Sequence, residues 1–570
     1  MRVSRVIAEE FVRHGVRHVY EMCGGMTTFI LDALHERDDI GVLSVHHEQA
    51  AGFAAEASAR MTGIPGVAMA TSGPGATNLL TAVGSCFFDS VPVVFITGQV
   101  NRNEMRGSRA VRQFGFQETD IVSMVRGITK DARLLDDPDA VADALADAFA
   151  LARSGRPGPV LLDIPMDVQR AEVAGPVPPR PVEIPPALDD VIIARVLEAI
   201  VSAERPVILV GGGARAAGAH DLVREIAHEL DLPVVNSLLG VDCMPADDRS
   251  RVGLIGTYGN RWANLALGRA DLVLVIGSRL DVRQTGADVE EFAAGKRIIQ
   301  VDIDEAELDG RVPLDVAVRA HAAAFCAALL GAARTGAEVR RPQWVAEVRA
   351  LAEDFPDEIE LADLDGINPA RLMHELSAAG SGASAFVTDV GQNQMWAAQS
   401  VRLREGQRFL TSGGMGAMGF ALPAAMGAAV AVPGLPVVAI AGDGGFQVNI
   451  QELETIVRLG LPVKSVVMDN RSLGMVRQFQ DELFEGRHQS TVWGYGVPDF
   501  AAVAQAYGMA SRSISEEAEM TDGVAWLMAD PAAPALLHVR LSDNTRVRPK
   551  VMFGSSIYRM EPPPTTERRG

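Results

Sequence analysis

Cysteine is scarce in this chain, which has four cysteines among 570 residues and no Cys-x-x-Cys pair. Such wide scatter predicts neither a disulfide framework nor a zinc site. A reducing compartment is the simplest setting for isolated thiols, so we expect a cytoplasmic protein. The cysteines are Cys23, Cys86, Cys243 and Cys326.

Positive charge is also in deficit, with 52 lysines and arginines against 73 acidic residues and a formal net charge of -21. Binding to a phosphate backbone needs a basic face, so we expect no nucleic-acid partner. An apolar leader is missing as well, because Arg2 and Arg5 precede Glu9 and Glu10. We therefore expect no signal peptide.

No apolar stretch of the chain is free of helix breakers over the length of a membrane span. Residues 419–442 are uncharged, but Pro423, Pro433 and Pro436 interrupt them. These prolines predict a buried helix, a turn and a buried strand instead of a transmembrane segment. We therefore expect no membrane association.

Short β-branched runs alternate with helical patterns along the chain, for example the runs at residues 67–70, 272–276 and 463–468. Such alternation predicts βαβ units and parallel sheets. We predict an α/β protein with three doubly wound parallel-sheet domains. Their expected bounds are residues 1–172, 190–345 and 366–545, followed by a tail at 546–570. Proline-rich residues 175–186 and charged residues 340–365 are predicted to be linkers.

Two oxygen-bearing side chains follow neighbouring strands in the third domain. A strand at 436–440 leads into the turn at 441–445, which contains Asp443. A helix at 450–459 and a strand at 463–468 follow, and Asn470 stands 27 positions after Asp443. A right-handed crossover brings both strand ends to the edge where ligands bind. Oxygen donors there suit Mg²⁺, and Gly442 and Gly444 allow a diphosphate to approach the backbone.

This region, from Gly442 to Asn470, resembles the thiamine-diphosphate motif of the acetolactate synthase family, as do residues 389–398 and 411–419. The resemblance implies a pyrimidine-binding first domain, a central FAD- or nucleotide-binding-like domain, and a third domain that binds diphosphate and Mg²⁺. It implies as metal ligands Asp443, Asn470 and the main-chain oxygen of Ser472. The implied contacts to thiamine diphosphate are Gln392, Asn393, Gly416, Met418, Gly442, Asp443, Gly444, Asn470, Ser472, Gly474 and Met475. Of these, the resemblance implies that Gly416 and Met418 hold the aminopyrimidine ring.

Glu48 stands where the strand at 42–45 turns into a helix. A first-turn glutamate that interacts with the helix dipole would be a sufficient structural explanation. In the resembling family, this glutamate hydrogen-bonds N1′ of the cofactor's pyrimidine. A buried carboxylic acid that shares this proton makes the cofactor's own amino group basic. We predict that Glu48 is catalytic and that His46 and His47 are structural.

The resemblance also marks Gly25 and Gln99 as catalytic candidates. Residues 23–26 read Cys-Gly-Gly-Met where acetolactate synthases often have Pro-Gly-Gly-Ala. Gln99 and Gln117 match family positions near the substrate, although both could be ordinary loop amides.

Acceptor identity is the open point of the resemblance. The loop at residues 100–116 is longer than in acetolactate synthases and is either a solvated loop or an anion-binding lid for a phosphorylated or nucleotide-linked acceptor. Phe479 stands where the family usually has a tryptophan that shapes acceptor choice. No histidine lies between Gln99 and Lys130, which disfavours decarboxylases that protonate their intermediate from this loop. The loop's arginines are Arg102, Arg106, Arg109 and Arg112.

The second domain resembles the FAD-binding segments of acetolactate synthases around residues 277–286 and 301–304. Arginine-rich turns suit diphosphates. ADP or an empty site is the alternative to FAD. The implied contacts are Gly212, Arg279, Arg283, Asp302 and Ile303.

The implied activity is decarboxylation of pyruvate, or a related 2-keto acid, and transfer of the hydroxyethyl or acetyl unit to a second carbonyl acceptor. The alternatives are transfer to a keto-sugar nucleotide or an aldehyde, simple decarboxylation, a pyruvate-oxidase reaction, or a non-catalytic cofactor-binding protein. The expected cofactors are thiamine diphosphate, Mg²⁺ and FAD. In the family the cofactor lies between subunits, which implies a homodimer or homotetramer; whether a regulatory subunit binds stays open.

Overall fold

The computed structural model describes residues 1–182, 188–308, 310–336 and 339–563. Three sheets of six parallel strands follow one another along the chain. The prediction of an α/β fold with three parallel-sheet domains is therefore confirmed. Residues 183–186 of the expected first linker and residues 564–570 of the expected tail lie outside the described residues.

The first sheet has the order β2-β1-β3-β4-β6-β5, and apolar clusters cover both of its faces. Its central strands are buried from end to end, which suits their largely apolar sequences. The strands are β1 His18–Met22, β2 Gly41–Ser44, β3 Gly66–Ala70, β4 Val93–Gln99, β5 Asp131–Leu134 and β6 Val160–Pro165. The helices are α1 Val3–Arg13, α2 Thr28–His35, α3 Glu48–Thr62, α4 Pro74–Asn78, α5 Leu80–Phe88, α6 Ile121–Val125, α7 Val141–Arg153 and α8 Met166–Arg170.

The second sheet has the order β12-β11-β10-β7-β8-β9 and is also covered on both faces. Its strands are β7 Pro206–Val210, β8 Val234–Asn236, β9 Arg251–Leu254, β10 Leu272–Ile276, β11 Arg297–Asp302 and β12 Val316–Arg319. Its helices are α9 Asp190–Ser202, α10 Gly212–Ala216, α11 His220–Glu229, α12 Arg261–Arg269, α13 Val282–Thr285, α14 Val289–Ala293, α15 Glu305–Leu308 and α16 Ala322–Arg334.

The expected linker at residues 340–365 contains the 13-residue helix α17 Pro342–Asp354. Trp344, Val348 and Leu351 are buried at a spacing of three to four residues and join the core of the second domain. The charged residues between them hid this pattern in the sequence.

The third sheet has the order β14-β13-β15-β16-β18-β17. Its strands are β13 Ala385–Thr388, β14 Arg408–Leu410, β15 Val437–Gly442, β16 Val463–Asp469, β17 Ala510–Ile514 and β18 Ala535–Arg540. Its helices are α18 Pro369–Ala379, α19 Gln392–Ser400, α20 Ala421–Ala431, α21 Asp443–Val448, α22 Glu452–Arg458, α23 Gly474–Leu483, α24 Phe500–Ala506 and α25 Met520–Met528. An antiparallel pair in the tail, β19 Lys550–Val551 and β20 Met560–Glu561, follows.

The uncharged stretch at 419–442 forms helix α20 and strand β15, as predicted. Among the described residues, no helix is both long and apolar enough to cross a membrane. Helix α20 instead packs against α3 of the first domain through alanine and glycine. A Cβ at Gly427 would lie 2.1 Å from the carbonyl oxygen of Ala54. The first and third domains are therefore in direct contact within one chain.

Candidate active site

Strands β15 and β16 are parallel neighbours, with Gly442 paired to Met468. Strand β15 runs to Gly442, further than the sequence predicted, because the pairing continues to that residue. Asp443 is then the first residue of α21, and Asn470 directly follows β16. The crossover through α22 thus places both side chains at the carboxyl edge of the third sheet.

The three expected metal ligands form one buried cluster. Asp443 Oδ2 accepts a hydrogen bond from the Ser472 amide at 3.1 Å. The Ser472 hydroxyl donates to Asn470 Oδ1 at 3.1 Å, and Asn470 Nδ2 donates to Gln392 Oε1 at 2.7 Å. Asp443 and Asn470, which are 27 positions apart in the sequence, are therefore linked through Ser472 in one buried cluster of oxygen-bearing groups.

Burial and the neighbouring Asp469 carboxylate together raise the pKa of Asp443 to about 7. A buried carboxylate in this state lacks a compensating positive charge. A divalent cation bound to oxygen donors would supply it, so the residues present fit Mg²⁺. The Tyr495 hydroxyl, which the sequence analysis missed, donates to Asp443 Oδ1 at 3.1 Å.

Glycines surround the cluster where a side chain would collide with it. A Cβ at Gly474 would lie 2.1 Å from Gln392 Oε1, and one at Gly444 would lie 3.2 Å from the Tyr495 hydroxyl oxygen. Met475 follows Gly474 in the first turn of α23. The Gly444 amide donates to Asp443 Oδ1 at 2.7 Å, whereas Gly474 begins helix α23, and the start of a helix suits a diphosphate. A cavity of about 240 Å³ opens beside Asn470 and Ser472.

Asn393 lies at the start of α19 with its amide group turned to the backbone. Its Nδ2 donates to the carbonyl oxygens of Asp389 and Ile440 at 2.9 and 3.2 Å. Its Oδ1 lies 3.2 Å from the position of a Cβ on Gly442. Both side-chain N–H donors of Asn393 are thus engaged within the third domain.

The segment with Gly416 and Met418 connects β14 to α20. Gly416 has a φ of +66°, which favours glycine. The Asp389 carboxylate, directly after β13, accepts hydrogen bonds from the amides of Gly419 and Ala421, each at 3.0 Å. Asp389 was part of a recognised motif, but its contact could not be predicted because it depends on how the segment folds back.

Glu48 is the first residue of α3 and is 9% exposed. Its Oε2 accepts a hydrogen bond from Asn78 Nδ2 at 2.9 Å. A Cβ at Gly75 would lie 3.1 Å from Glu48 Oε1, so this carboxylate faces the glycine-rich loop after β3. His47 caps the helix by accepting the Gln49 amide at Nδ1, at 3.1 Å.

Gly25 and Gln117 also lie at this edge of the first sheet. The amide that follows Gly25, that of Met26, donates to Thr71 Oγ1 at 3.3 Å. A Cβ at Gly73 would lie 3.1 Å from Gln117 Cβ. The loops after β1, β3 and β4 therefore converge near Glu48.

Gln99 is buried, and its side-chain amide makes hydrogen bonds within the first domain. Its Nε2 donates to Asp163 Oδ2 at 2.9 Å and to the Thr119 carbonyl at 2.8 Å. Burial raises the pKa of Asp163 to about 7. Gln99 thus anchors the loop that leads from Arg102 to Gln117.

Three of the four loop arginines have partners within the protein. Arg102 pairs with Asp167 at 2.7 Å and Arg106 with Asp120 at 3.9 Å. The Arg109 guanidinium lies 4.4 Å from the centre of the Phe114 ring. Arg112 has no hydrogen bond or ion pair with the described residues.

The second domain brings its expected nucleotide contacts to one sheet edge. Strands β7, β10 and β11 are neighbours, and Gly212, the loop after β10 and Asp302 lie at their carboxyl ends, followed by Ile303. The Gly213 amide donates to the Gly277 carbonyl at 2.9 Å. Arg279 lies 3.6 Å from Asp281, and Arg283 is exposed on the short helix α13 that follows.

Three family models match the chain in the order of its sheets. They are the N-terminal TPP binding domain of thiamine pyrophosphate enzymes at residues 1–124, the central domain at 193–329 and the C-terminal TPP binding domain at 389–539. The chain therefore has the three domains of a thiamine pyrophosphate enzyme.

The chain is 39% identical to the acetolactate synthase large subunit of Parasynechococcus marenigrum, over 96% of this chain and 89% of that protein. It is 37% identical to the large subunit of Corynebacterium glutamicum, over 94% and 86% of the two chains. It is 36% identical to acetolactate synthase 1, chloroplastic, of Zea mays, over 97% and 88%. The chain belongs to the acetolactate synthase family and is a thiamine-pyrophosphate-dependent carboligase of that type.

Proposed function

We propose that this chain decarboxylates pyruvate, or a related 2-keto acid, and transfers the two-carbon unit to a second carbonyl compound. The observation that carries the proposal is the buried cluster of Asp443, Asn470, Ser472 and Gln392, which suits Mg²⁺ and a diphosphate. When bound, thiamine diphosphate supplies a carbon nucleophile that adds to the 2-keto group and accepts the electron pair left by carbon dioxide.

The protein's own residues hold the cofactor and one proton. Asp443, Asn470 and the main-chain oxygen of Ser472 would bind Mg²⁺, and the amides at the start of α23, near Gly474, would bind the diphosphate. Glu48 would share a proton with N1′ of the pyrimidine, which requires a carboxylic acid shielded from water. Gly25 and Gln99 would shape the space beside the reacting carbon.

Transfer to an acceptor other than pyruvate is the second candidate. Arg112 and the aromatic side chains Phe114 and Phe116 are exposed on the loop after β4 and could meet a phosphorylated or nucleotide-linked carbonyl compound. Because Arg102 and Arg106 already pair with acidic residues, the loop favours pyruvate as acceptor over a phosphorylated or nucleotide-linked compound. Phe479, half-exposed on α23, would contact the acceptor.

The second domain is proposed to bind FAD. The residues expected to hold it are Gly212, Arg279, Arg283, Asp302 and Ile303. The partly exposed Arg279 and the exposed Arg283 near the sheet edge suit its diphosphate. A protein purified with FAD would be yellow and would release flavin on denaturation. A colourless protein that binds ADP would favour the alternative.

The active unit is proposed to be a homodimer or homotetramer in the cytoplasm, with each cofactor between two subunits. Because two relatives are named as large subunits, a regulatory subunit is compatible with this assembly.

Product analysis by mass spectrometry, with pyruvate and a panel of carbonyl acceptors, identifies the acceptor. Carbon dioxide release without a ligated product would contradict the carboligase proposal.

Replacement of Glu48 tests the catalytic assignment. Glu48→Gln keeps the size of the side chain but cannot hold the proton, so we expect kcat to fall by about 10²–10⁴. Calorimetric titration should show thiamine diphosphate binding close to that of the wild type. Glu454→Gln, a change at an exposed glutamate that contacts His46, is the matched control. An unchanged kcat in Glu48→Gln would refute the role of Glu48.

A further inference from the structure

Three charged side chains of the first domain form a buried network against the third domain. Arg60 Nη2 donates to Asp89 Oδ2 at 2.8 Å and also to Glu56, one turn earlier in α3. The side chains of Glu56 and Asp89 are fully buried, and that of Arg60 is 11% exposed. Buried ions persist only where partners satisfy them, so this network has a fixed geometry.

The network forms hydrogen bonds with the segment that follows β14. Asp89 accepts the amides of Gly413 and Gly414 at 2.8 and 2.6 Å, and Arg60 Nη1 donates to the Thr411 carbonyl at 2.9 Å. A Cβ at Gly414 would lie 2.9 Å from Asp89 Oδ1. The backbone at position 414 therefore lies so close to the Asp89 carboxylate that a larger residue than glycine would collide with it.

The same segment is held at its other end by Asp389, which accepts the amides of Gly419 and Ala421. Two buried carboxylates thus clamp the four residues between Gly414 and Gly419. Gly416 and Met418, the residues expected to meet the aminopyrimidine, lie between the clamps. One clamp belongs to the third domain and the other to the first.

We propose that Asp89 is a positioning residue for the cofactor's pyrimidine ring, because it fixes the segment between Gly414 and Gly419 through the contact between the first and third domains. This inference rests on the proposed binding of thiamine diphosphate. Asp89 acts on the ring end of the cofactor, whereas the cluster at Asp443 acts on the diphosphate end.

The test compares two ligands in Asp89→Asn. Both carboxylate oxygens of Asp89 accept hydrogen bonds, whereas asparagine has one acceptor oxygen and one NH₂ group. In the variant, the NH₂ group would therefore face an N–H donor and lose that hydrogen bond. We expect the Kd of thiamine diphosphate, measured by calorimetry with saturating Mg²⁺, to rise about tenfold. The Kd of inorganic pyrophosphate with Mg²⁺ should not change, because pyrophosphate lacks the ring.

Glu360→Gln is the control for loss of a buried ion pair. Arg261 donates to both carboxylate oxygens of Glu360 at 2.6 and 2.8 Å, far from the segment in sequence and between other elements. This change should leave both Kd values at those of the wild type. A tenfold weaker binding of thiamine diphosphate in this control would overturn the inference.

Gly414→Ala is the second variant, and it carries the test if Asp89→Asn does not fold. The added Cβ would push the segment away from an intact Asp89 and should weaken thiamine diphosphate alone. Wild-type Kd values in both variants, or equal weakening of both ligands, would overturn the positioning role. A wild-type chain that binds pyrophosphate but not thiamine diphosphate would refute the proposed function itself.

Discussion

Tyr495 lies outside every motif of the sequence, yet its hydroxyl donates to the expected metal ligand Asp443 at 3.1 Å. Tyr495→Phe removes this one donor and keeps the ring. Loss of a hydrogen bond to a charged group should raise the Kd of Mg²⁺ about tenfold at saturating thiamine diphosphate. Calorimetry or Mg²⁺-dependent activity measures this change.

Tyr507→Phe is the control, because the Tyr507 hydroxyl makes no hydrogen bond with the described residues. It should leave the Kd of Mg²⁺ unchanged. An equal Kd in Tyr495→Phe and in the wild type would mean that the contact does not support the metal site.

Residues next to the ends of predicted strands could be placed from the sequence, and distant ones could not. Asp443 and Asn470 follow two strands joined by one crossover, so chain topology alone brings them together. Tyr495 and Asp89 reach the site from loops whose paths depend on tertiary packing. Gln99 was predicted to lie near the substrate, but its contact with Asp163 also needed the fold.

Helices α3 and α20 pack so closely that glycine is required at one position. Gly427→Ala would place a Cβ 2.1 Å from the Ala54 carbonyl oxygen, which is backbone and cannot move aside. We expect a loss of about 1–3 kcal/mol of stability and a lower midpoint of thermal unfolding by circular dichroism. A midpoint equal to that of the wild type would show that the helices can separate without cost.

Gly331→Ala in α16 is the matched control. A Cβ at Gly331 would meet no atom within 4 Å, and the position is helical. Alanine should therefore stabilise the chain by about 0.4–1 kcal/mol, because it lowers the conformational entropy of the unfolded chain. The two Gly→Ala changes should alter stability in opposite directions only if packing, rather than helix propensity, determines the effect of Gly427→Ala in α20.

Element positions were predictable where burial and periodicity agree. The strands at 67–70 and 272–276 and the helix that starts at Glu48 have the predicted positions, because their apolar runs are continuous or end at a glycine. Helix α17 was hidden, because only one of its faces is apolar and the other is charged. Strand β15 was predicted too short, because strand pairing, not residue type, sets its end.

At the scale of the whole molecule, the structure allows two assemblies of the site. His46 and Gln49, on either side of Glu48, contact Glu452 and Asn449 of the same chain. The cofactor could therefore lie within one chain, or between the first domain of one subunit and the third domain of another. We predict the second arrangement.

Mixed subunits separate these arrangements. Glu48→Gln and Asp443→Asn should each abolish activity alone, since each removes a group from every site. In a mixed dimer, a site shared between subunits would combine the intact Glu48 of one chain with the intact Asp443 of the other. Co-expression of the two variants should then restore about a quarter of wild-type activity, because half of the dimers are mixed and each has one intact site. If activity stays absent although mixed dimers are isolated through different affinity tags, the cofactor lies within a single chain.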